Sequence, residues 1–291
     1  MNKNCSNNYQ NTGASNCRQY FDIVEKILFF PNKNIYLSGN DEEDIAEDID
    51  AKIQAATKYN RCFVFPLIKG LEDNSEDLKT AQTGYGDTVI LGDGKQAYTF
   101  QYLQDIELTK KLRSFNNQEG RVILLCSDGS IICEKKDNKI YGFLATPYFR
   151  QGRLPNGSDL LISTVQLSFS DATAMEDRVT ILNLGLVPSE IEGLKDVNIQ
   201  MVGSDKKNFK LIDAMTGDDI TDAYGTLLAV AGGWLIDGEN PSTAPTYDTT
   251  NKKFTFAVAA TESVSLADPN ALASLSVPVL GIESDVLTIT A

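Results

Sequence analysis

The chain has 291 residues, a formal net charge of −14 and no histidine. The absence of histidine excludes Ser-His-Asp and Cys-His catalysis and histidine metal sites. The acidic balance argues against nucleic-acid binding through an outer basic surface. An acidic wall can still face DNA without binding it, because it displaces no counterions from the phosphates. We therefore predict no catalytic residue, no metal site and no cofactor.

Residues 1–17 are polar and rich in asparagine, and they lack the hydrophobic segment of a signal peptide. We expect a flexible arm, which is either disordered alone or ordered against a neighbouring subunit. The sequence contains no apolar run of about 18 residues, so no membrane insertion is expected.

Two helices are predicted before residue 60. The first covers residues 16–30 and ends at Pro31, with an apolar stripe formed by Tyr20, Ile23, Val24, Ile27 and Leu28. The second covers residues 41–59, with a stripe formed by Ile45, Ile49, Ile53 and Ala56. Its many acidic residues lack the DxDxDG order of a calcium loop, so a solvated helix face is the preferred interpretation.

Residues 61–67 are predicted to form a short aromatic strand that leads into a loop. A hairpin is predicted within residues 88–102, turning at Asp93-Gly94. The GYGDTVILGDG segment, residues 84–94, overlaps this hairpin. It lacks the GxxxxGK(S/T) pattern of a phosphate-binding loop and is interpreted as a β-turn. Asp105 is then predicted to cap a helix whose apolar side carries Leu108, Leu112 and Phe115.

The best-patterned β segment covers residues 120–170. Asp128-Gly129 predicts a two-residue type I′ turn, which places Cys126 opposite Ile131 and Leu124 opposite Cys133. Both faces of this hairpin carry apolar residues, so it is expected to be buried on both sides. In this register Cys126 and Cys133 are diagonal neighbours roughly 7–8 Å apart, somewhat far for a relaxed disulfide. We expect free, buried thiols.

A long strand is predicted at the end of this segment. Its alternation puts Leu161, Val165, Leu167 and Phe169 on one face. The opposite face then carries Thr164, Gln166, Ser168 and Ser170. One side is expected to pack on a core and the other to meet water.

The C-terminal part, from about residue 195, consists of short strands separated by turn residues, which predicts an immunoglobulin-like β-sandwich. Trp234 is expected in its core, with a sugar-stacking platform as the alternative. The predicted fold class is mainly β with a few helices (α+β). We divide the chain into an arm (1–17), a β domain with helices (18–190) and the sandwich (195–291), although one large β domain stays possible.

The succession of helix, Asp-Gly hairpin, KIYGF strand, GRLPNGS loop and ISTVQLSFSD strand resembles structural proteins of tailed phages. It is most similar to tail-tube-like or ring-forming virion proteins of phages that infect Bacteroidetes, including the crAss-like group. The GASNC segment and the appended immunoglobulin-like domain are also similar to that group. The resemblance covers residues 13–190 and implies a tail-tube-like β-sheet or barrel domain with flanking helices.

The resemblance also implies a function. The chain would form a homo-oligomeric ring or tube in the tail or neck of a virion, made in the bacterial cytoplasm, around an acidic DNA-conducting channel. Its partners would be itself, neighbouring tail or portal proteins, and genomic DNA that passes without specific binding. The implied inter-subunit loop consists of Gly152, Arg153, Leu154, Pro155, Asn156, Gly157, Ser158 and Asp159. The implied lumen-facing positions are Thr164, Gln166, Ser168 and Ser170.

Two other functions compete with this one. The first is an adhesin or carbohydrate-binding surface protein that acts through the immunoglobulin-like domain. The second is a carboxylate-based hydrolase, which would need two facing carboxylates roughly 5–10 Å apart. No such pair stands out among the 40 acidic residues, and we expect the chain not to be an enzyme.

Overall fold

The structure, a computed structural model, describes residues 22–39, 41–92, 94–103, 105–137, 139–150, 161–171 and 174–289. The chain divides into two compact units. Unit 1 contains the residues up to Ile49 together with Cys62–Ile191, and unit 2 contains Asp50–Arg61 and the residues from Glu192 onward. Strands dominate both units and short helices accompany them, which confirms the predicted α+β class. In the described ranges, no helix is long and apolar enough to cross a bilayer.

Unit 1 is built around one large sheet. Its elements in chain order are β1 (Val24–Phe30), α1 (Glu42–Ile53, which continues into unit 2), β2 (Phe63–Val64), β3 (Ile68–Asp73), β4 (Lys79–Gln82), β5 (Thr88–Gly92), β6 (Ala97–Leu103), α2 (Ile106–Leu112), β7 (Gly120–Cys126), β8 (Ser130–Lys136), β9 (Lys139–Tyr141), β10 (Phe143–Arg150), β11 (Ile162–Phe169), α3 (Ala174–Asp177) and β12 (Val179–Asn183). The main sheet has the order β12-β8-β7-β10-β11-β6-β3, with β1, β2 and β9 attached. Its end strands do not pair with each other among the described residues, so the sheet is open and not a closed barrel.

The helix predicted over residues 16–30 is wrong in its described part, which contains strand β1. β1 pairs antiparallel with β7 along nearly its whole length, from Val24↔Cys126 to Phe30↔Arg121. Its residues 26–30 are fully or almost fully buried. This long-range pairing and burial on both faces favour a strand, since β-branched and aromatic residues pack well on a pleated surface.

Two other helix predictions are confirmed, because both rest on local signals. Helix α1 buries Ile45, Ile49 and Ile53 on one side, although Ala56 lies beyond its end. Helix α2 begins after Asp105, whose carboxylate accepts a hydrogen bond from the Leu108 N–H at 3.0 Å. This cap satisfies one of the backbone donors that a helix leaves unpaired at its start.

The hairpin of β7 and β8 is buried on both faces as predicted, but its register is shifted by one residue. Leu124 pairs with Ile132 and Leu125 with Ile131, so the turn contains three residues and not two. Gly129 adopts φ +80°, and the Asp128 carboxylate accepts a hydrogen bond from the Ser130 N–H. A glycine in the left-handed region is typical of a three-residue hairpin loop. The shift moves Cys133 to the face opposite Cys126, which removes the predicted diagonal relation.

Beyond this turn, β7 and β8 diverge and a third strand enters between them. β7 gives one edge to β1, while its other edge is shared between β8 near the turn and β10 further away. β9 pairs with β8, and Gly142 connects β9 to β10. A Cβ at Gly142 would lie 2.7 Å from the Val122 nitrogen. Glycine therefore allows the chain to cross from β8 to β7 at this point.

A buried carboxylate holds this divergence together. Glu134, 4% exposed, accepts hydrogen bonds from Arg121 Nη1 at 2.8 Å and from Arg178 Nε at 2.5 Å. Arg121 also donates to the Gly142 carbonyl oxygen, and its guanidinium lies 5.0 Å from the centre of the Tyr141 ring. The hydrogen bonds to Glu134 and to Asp171 raise the pKa of Arg178. One carboxylate thus joins β7, β8 and the segment that leads into β12.

Unit 2 contains two sheets that share one core. Its further elements are β13 (Lys195–Met201), β14 (Asn208–Asp213), α4 (Thr221–Tyr224), β15 (Trp234–Ile236), β16 (Thr246–Asp248), β17 (Lys253–Thr255), β18 (Ser263–Leu266), α5 (Pro269–Ala273), β19 (Ile282–Ser284) and β20 (Leu287–Thr288). One sheet has the order β16-β17-β14-β13-β19 and the other β15-β18-β20. The core takes side chains from both sheets, as in a sandwich. The parallel pair β13–β19 departs from the antiparallel immunoglobulin pattern.

Residues 50–61 belong to unit 2, although they were predicted to lie in the 18–190 domain. Arg61 is 3% exposed and donates two hydrogen bonds to the Glu283 carboxylate, at 2.7 and 3.1 Å. It also donates to the carbonyl oxygens of Ala55 and Ala56. The sequence pattern around Arg61 carried no signal for this long-range ion pair.

Candidate assembly surface

A single long hairpin extends from β3 to β6. β3 pairs with β6 from Ile68↔Tyr102 to Asp73↔Tyr98, and the pairing continues with hydrogen bonds from Asn74 N to Ala97 O and from Glu76 N to Lys95 O. β4 and β5 then form the outer part of the same hairpin, as a separate two-stranded sheet. The predicted turn at Asp93-Gly94 is therefore wrong, because β5 and β6 lie on the same arm and are not partners.

The reversal of the chain occurs at residues 83–87 instead. The Thr83 N–H donates to the Asp87 carbonyl oxygen at 2.8 Å, and Gly86 adopts φ +88°. Gly94 has a different role, since a Cβ there would lie 2.0 Å from the Glu76 carbonyl oxygen. Its missing side chain lets the two arms approach each other where the hairpin leaves the main sheet.

The outer part of the hairpin, residues 78–92, is called the ribbon below. All of β4 and almost all of β5 are exposed. The exposed fractions of its large apolar side chains are 54% for Leu78, 99% for Tyr85, 47% for Val89, 61% for Ile90 and 69% for Leu91. An isolated two-stranded hairpin is at best marginally stable in water. The ribbon therefore combines low intrinsic stability with apolar surface on both faces, which is typical of a segment that packs against a partner.

The charge of the ribbon contrasts with that of the whole chain. Lys79 and Asp87 are its charged residues, so its net charge is zero in a protein of net charge −14. Exposed strand edges are commonly protected by charged side chains against pairing with another chain. The ribbon has little such protection, and it can approach a second acidic copy of the chain without strong repulsion.

The predicted alternation of the long strand is confirmed by β11, except at Leu161, which was predicted on the core face but precedes the strand and is 42% exposed. Ser163, Val165, Leu167 and Phe169 are buried, whereas Thr164, Gln166 and Ser168 lie on the outer face. Ser170 lies just after the strand and is exposed, and its hydroxyl donates a hydrogen bond to the Glu119 carboxylate. The structure therefore brings three of the four predicted lumen-facing residues together in one row.

Neighbouring strands extend this polar face. Thr164 lies between Gln101 of β6 and Arg150 of β10, and Gln166 lies between Thr99 and Tyr148. On β3, Gly70 pairs with Gln101 and Glu72 pairs with Thr99. The face thus consists mostly of hydroxyl and amide groups, with Glu72 and Arg150 as opposite charges. The acidity of the chain is not concentrated on it. The predicted inter-subunit loop at residues 152–159 lies outside the described residues.

The remaining candidate groups offer little chemistry. Burial raises the pKa of the Cys126 thiol to about 11 and raises that of Cys133 further, so both free thiols stay protonated near neutral pH. In the part of the chain that the structure describes, no group of three or more cysteine, aspartate or glutamate residues could hold a metal ion.

Trp234 lies in the core of unit 2, as predicted. It is 0% exposed, its Nε1–H donates to the Leu228 carbonyl oxygen at 2.8 Å, and its ring packs edge-on against Phe254 and Phe256. A ring enclosed in this way presents no face to a sugar. The alternative interpretation of Trp234 as a glycan platform is therefore wrong.

Comparisons with known proteins give little further information. No protein-family model matches the sequence, and no curated protein matches it. Among solved structures, the chain is similar to one in "Cryo-EM Structure of an Extracellular Contractile Injection System, PVC sheath-tube complex in extended state". The two chains share 13% identity with a TM-score of 0.24, over 41% of this chain and 82% of that chain. A likeness at this level supports no assignment of fold, role or partner.

Proposed function

We propose that the chain is a non-enzymatic structural subunit of a tailed-phage virion, which assembles with copies of itself into a ring or tube. The observation that carries the proposal is the ribbon. Its five large apolar side chains are exposed on a hairpin that is separate from the main sheet. Such a hairpin gains order when a partner covers it, because burial removes apolar surface from water.

A second copy of the chain is the partner we favour. A subunit that acts by assembly needs an exposed contact surface and no reactive centre, and the ribbon supplies that surface. Its neutral charge suits contact with an acidic copy. The sequence resemblance to tail-tube-like and ring-forming virion proteins points to the same kind of assembly.

The outer face of β10, β11, β6 and β3 is the candidate wall of the DNA channel. Its threonine, serine and glutamine side chains offer hydrogen bonds without a basic patch, so DNA that passes would release few counterions and would not bind tightly. We propose a neutral polar wall and not an acidic one, because Glu72 and Arg150 balance each other on this face. The loop at residues 152–159 stays a proposed second contact between subunits.

Sedimentation velocity over a range of protein concentrations tests the proposal. Wild-type protein is expected to form species much larger than the 31.9 kDa monomer. The variant with Ile90→Asp and Leu91→Asp is expected to sediment only as the monomer. The reason is that two carboxylates on the ribbon would have to be buried in the contact.

The matched control is Val258→Asp with Leu280→Asp, which adds the same two charges at exposed apolar positions of unit 2. This control should assemble as wild type does. A wild-type chain that stays monomeric at high concentration would contradict the proposed function. Equal assembly of the ribbon variant and the control would contradict the role of the ribbon.

A further inference from the structure

Unit 1 carries a second exposed apolar surface, at the end of β6. Leu103 pairs with Ile162 on the outer face, and Leu161 precedes Ile162 in the chain. Ile106, the first residue of α2, lies three residues after Leu103 and so within about 11 Å of it. The exposed fractions of these four side chains are between 37% and 64%. Leu103, Ile106, Leu161 and Ile162 are called the end patch below.

The ribbon and the end patch lie at opposite ends of the same strand. The hairpin leaves the main sheet beside Ala97, the first residue of β6, whereas the end patch begins at Leu103, its last residue. The seven residues of β6 separate the two surfaces by roughly 20 Å along the strand. One apolar surface therefore projects from the unit at one end, and another is exposed at the other end.

The charges beside these two surfaces have opposite signs. Asp73, Glu76 and Asp77 are exposed where the ribbon begins, and they outnumber Lys95, the exposed basic residue that faces Glu76 across the hairpin. Hydrogen bonds from Ser75 lower the pKa of Asp73. Lys110, Lys111 and Arg113 are exposed on α2 and the turn after it, next to the end patch. Glu107 offsets one of these charges, because its carboxylate pairs with Lys110 at 2.6 Å. A head-to-tail contact between two copies would bring these acidic and basic groups towards each other.

We propose that the ribbon of one copy docks on the end patch of the next copy, in a head-to-tail contact. This inference rests on the proposed function and adds the acceptor surface and the polarity of assembly. The ribbon contributes 15 residues, and the end patch with Lys110, Lys111 and Arg113 contributes seven. These residues form the centre of the proposed contact, which is smaller than the roughly 20–30 residues per side of a stable interface. A contact between different surfaces leaves a free ribbon at one end of the assembly and a free end patch at the other. Growth therefore stops only if a ring closes, and otherwise it continues as an open stack.

Mixing two blocked variants tests the polarity. The donor-blocked variant carries Ile90→Asp and Leu91→Asp, and the acceptor-blocked variant carries Leu103→Asp and Ile106→Asp. Each variant alone is expected to be monomeric. Their equimolar mixture is expected to form a 1:1 dimer and nothing larger, because the intact ribbon of one variant fits the intact end patch of the other. Mass photometry measures each population, and circular dichroism shows that each variant is folded.

Two further variants test whether the acidic groups beside the ribbon meet the basic groups beside the end patch. They leave the apolar residues of both surfaces unchanged. Lys110→Glu with Lys111→Glu should weaken assembly at least about tenfold, and Glu76→Lys with Asp77→Lys should do the same. Mixing these two charge variants should restore association. The docking inference is overturned if the folded acceptor-blocked variant assembles as wild type does, or if the mixtures stay monomeric. A wild-type chain that never assembles would instead refute the proposed function.

Discussion

Glu134→Ala is expected to lower the free energy of unfolding by about 3 kcal/mol, the low end of the range for breaking a buried ion pair. The substitution removes the carboxylate that faces both Arg121 and Arg178. The Arg121 side chain is only 14% exposed, so water cannot replace the lost partner fully. The Arg178 side chain is 32% exposed, which limits the loss.

Chemical denaturation followed by far-UV circular dichroism measures this effect. Lys33→Ala is the matched control, because it breaks an ion pair with Glu119 whose side chains are 52% and 33% exposed. Exposed pairs contribute at most about 1 kcal/mol. If Glu134→Ala changes stability no more than Lys33→Ala does, the carboxylate does not hold β7, β8 and Arg178 together.

Trp234→Ala is expected to destabilise the protein by about 3–5 kcal/mol, through the lost apolar surface and the cavity that remains. Two aromatic rings lie against Trp234, with centroids at 5.0 and 5.2 Å. The substitution also leaves the Leu228 carbonyl oxygen without its buried donor. Trp234→Phe keeps the ring contacts but not the donor, so it should cost about 1–3 kcal/mol.

Differential scanning calorimetry of both variants tests this prediction. Val258→Ala serves as the control, since Val258 is 68% exposed and its truncation should change stability by less than about 0.5 kcal/mol. A Trp234→Ala protein as stable as this control would mean that the ring does not lie in the core of unit 2.

Local signals in the sequence predicted the elements that depend on local contacts. The isoleucine stripe of α1 and the Asp105 cap of α2 are examples, because a helix satisfies its hydrogen bonds between near neighbours. The alternation of β11 was equally visible in the sequence, since burial of one face favours an apolar residue at every second position.

The elements that were predicted wrongly or missed depend on contacts between residues far apart in the chain. β1 shows helical spacing, yet its pairing with β7, about 100 residues later in the chain, makes it a strand. The ribbon was not predicted, because β4 has the sequence KTAQ, which shows no alternation of apolar and polar residues. The run of three apolar residues in β5, Val89–Leu91, was the available signal, and the nearby Asp93-Gly94 led to the wrong turn. Glu134 gave no sign that it is buried, because Arg178 lies 44 residues later in the chain and the predicted hairpin register did not place Arg121 beside it.

Hydrogen–deuterium exchange at the ribbon amides tests most directly whether assembly covers the ribbon. Wild-type protein is compared at a low concentration, where it is monomeric, and at a high concentration, where it assembles. Outward-facing amides of β4 and β5 are expected to exchange at least about tenfold more slowly at the high concentration, while those of β18 in unit 2 stay unchanged. Equal exchange rates of the ribbon at both concentrations, in a sample that contains large species, would contradict the account and place the contact elsewhere.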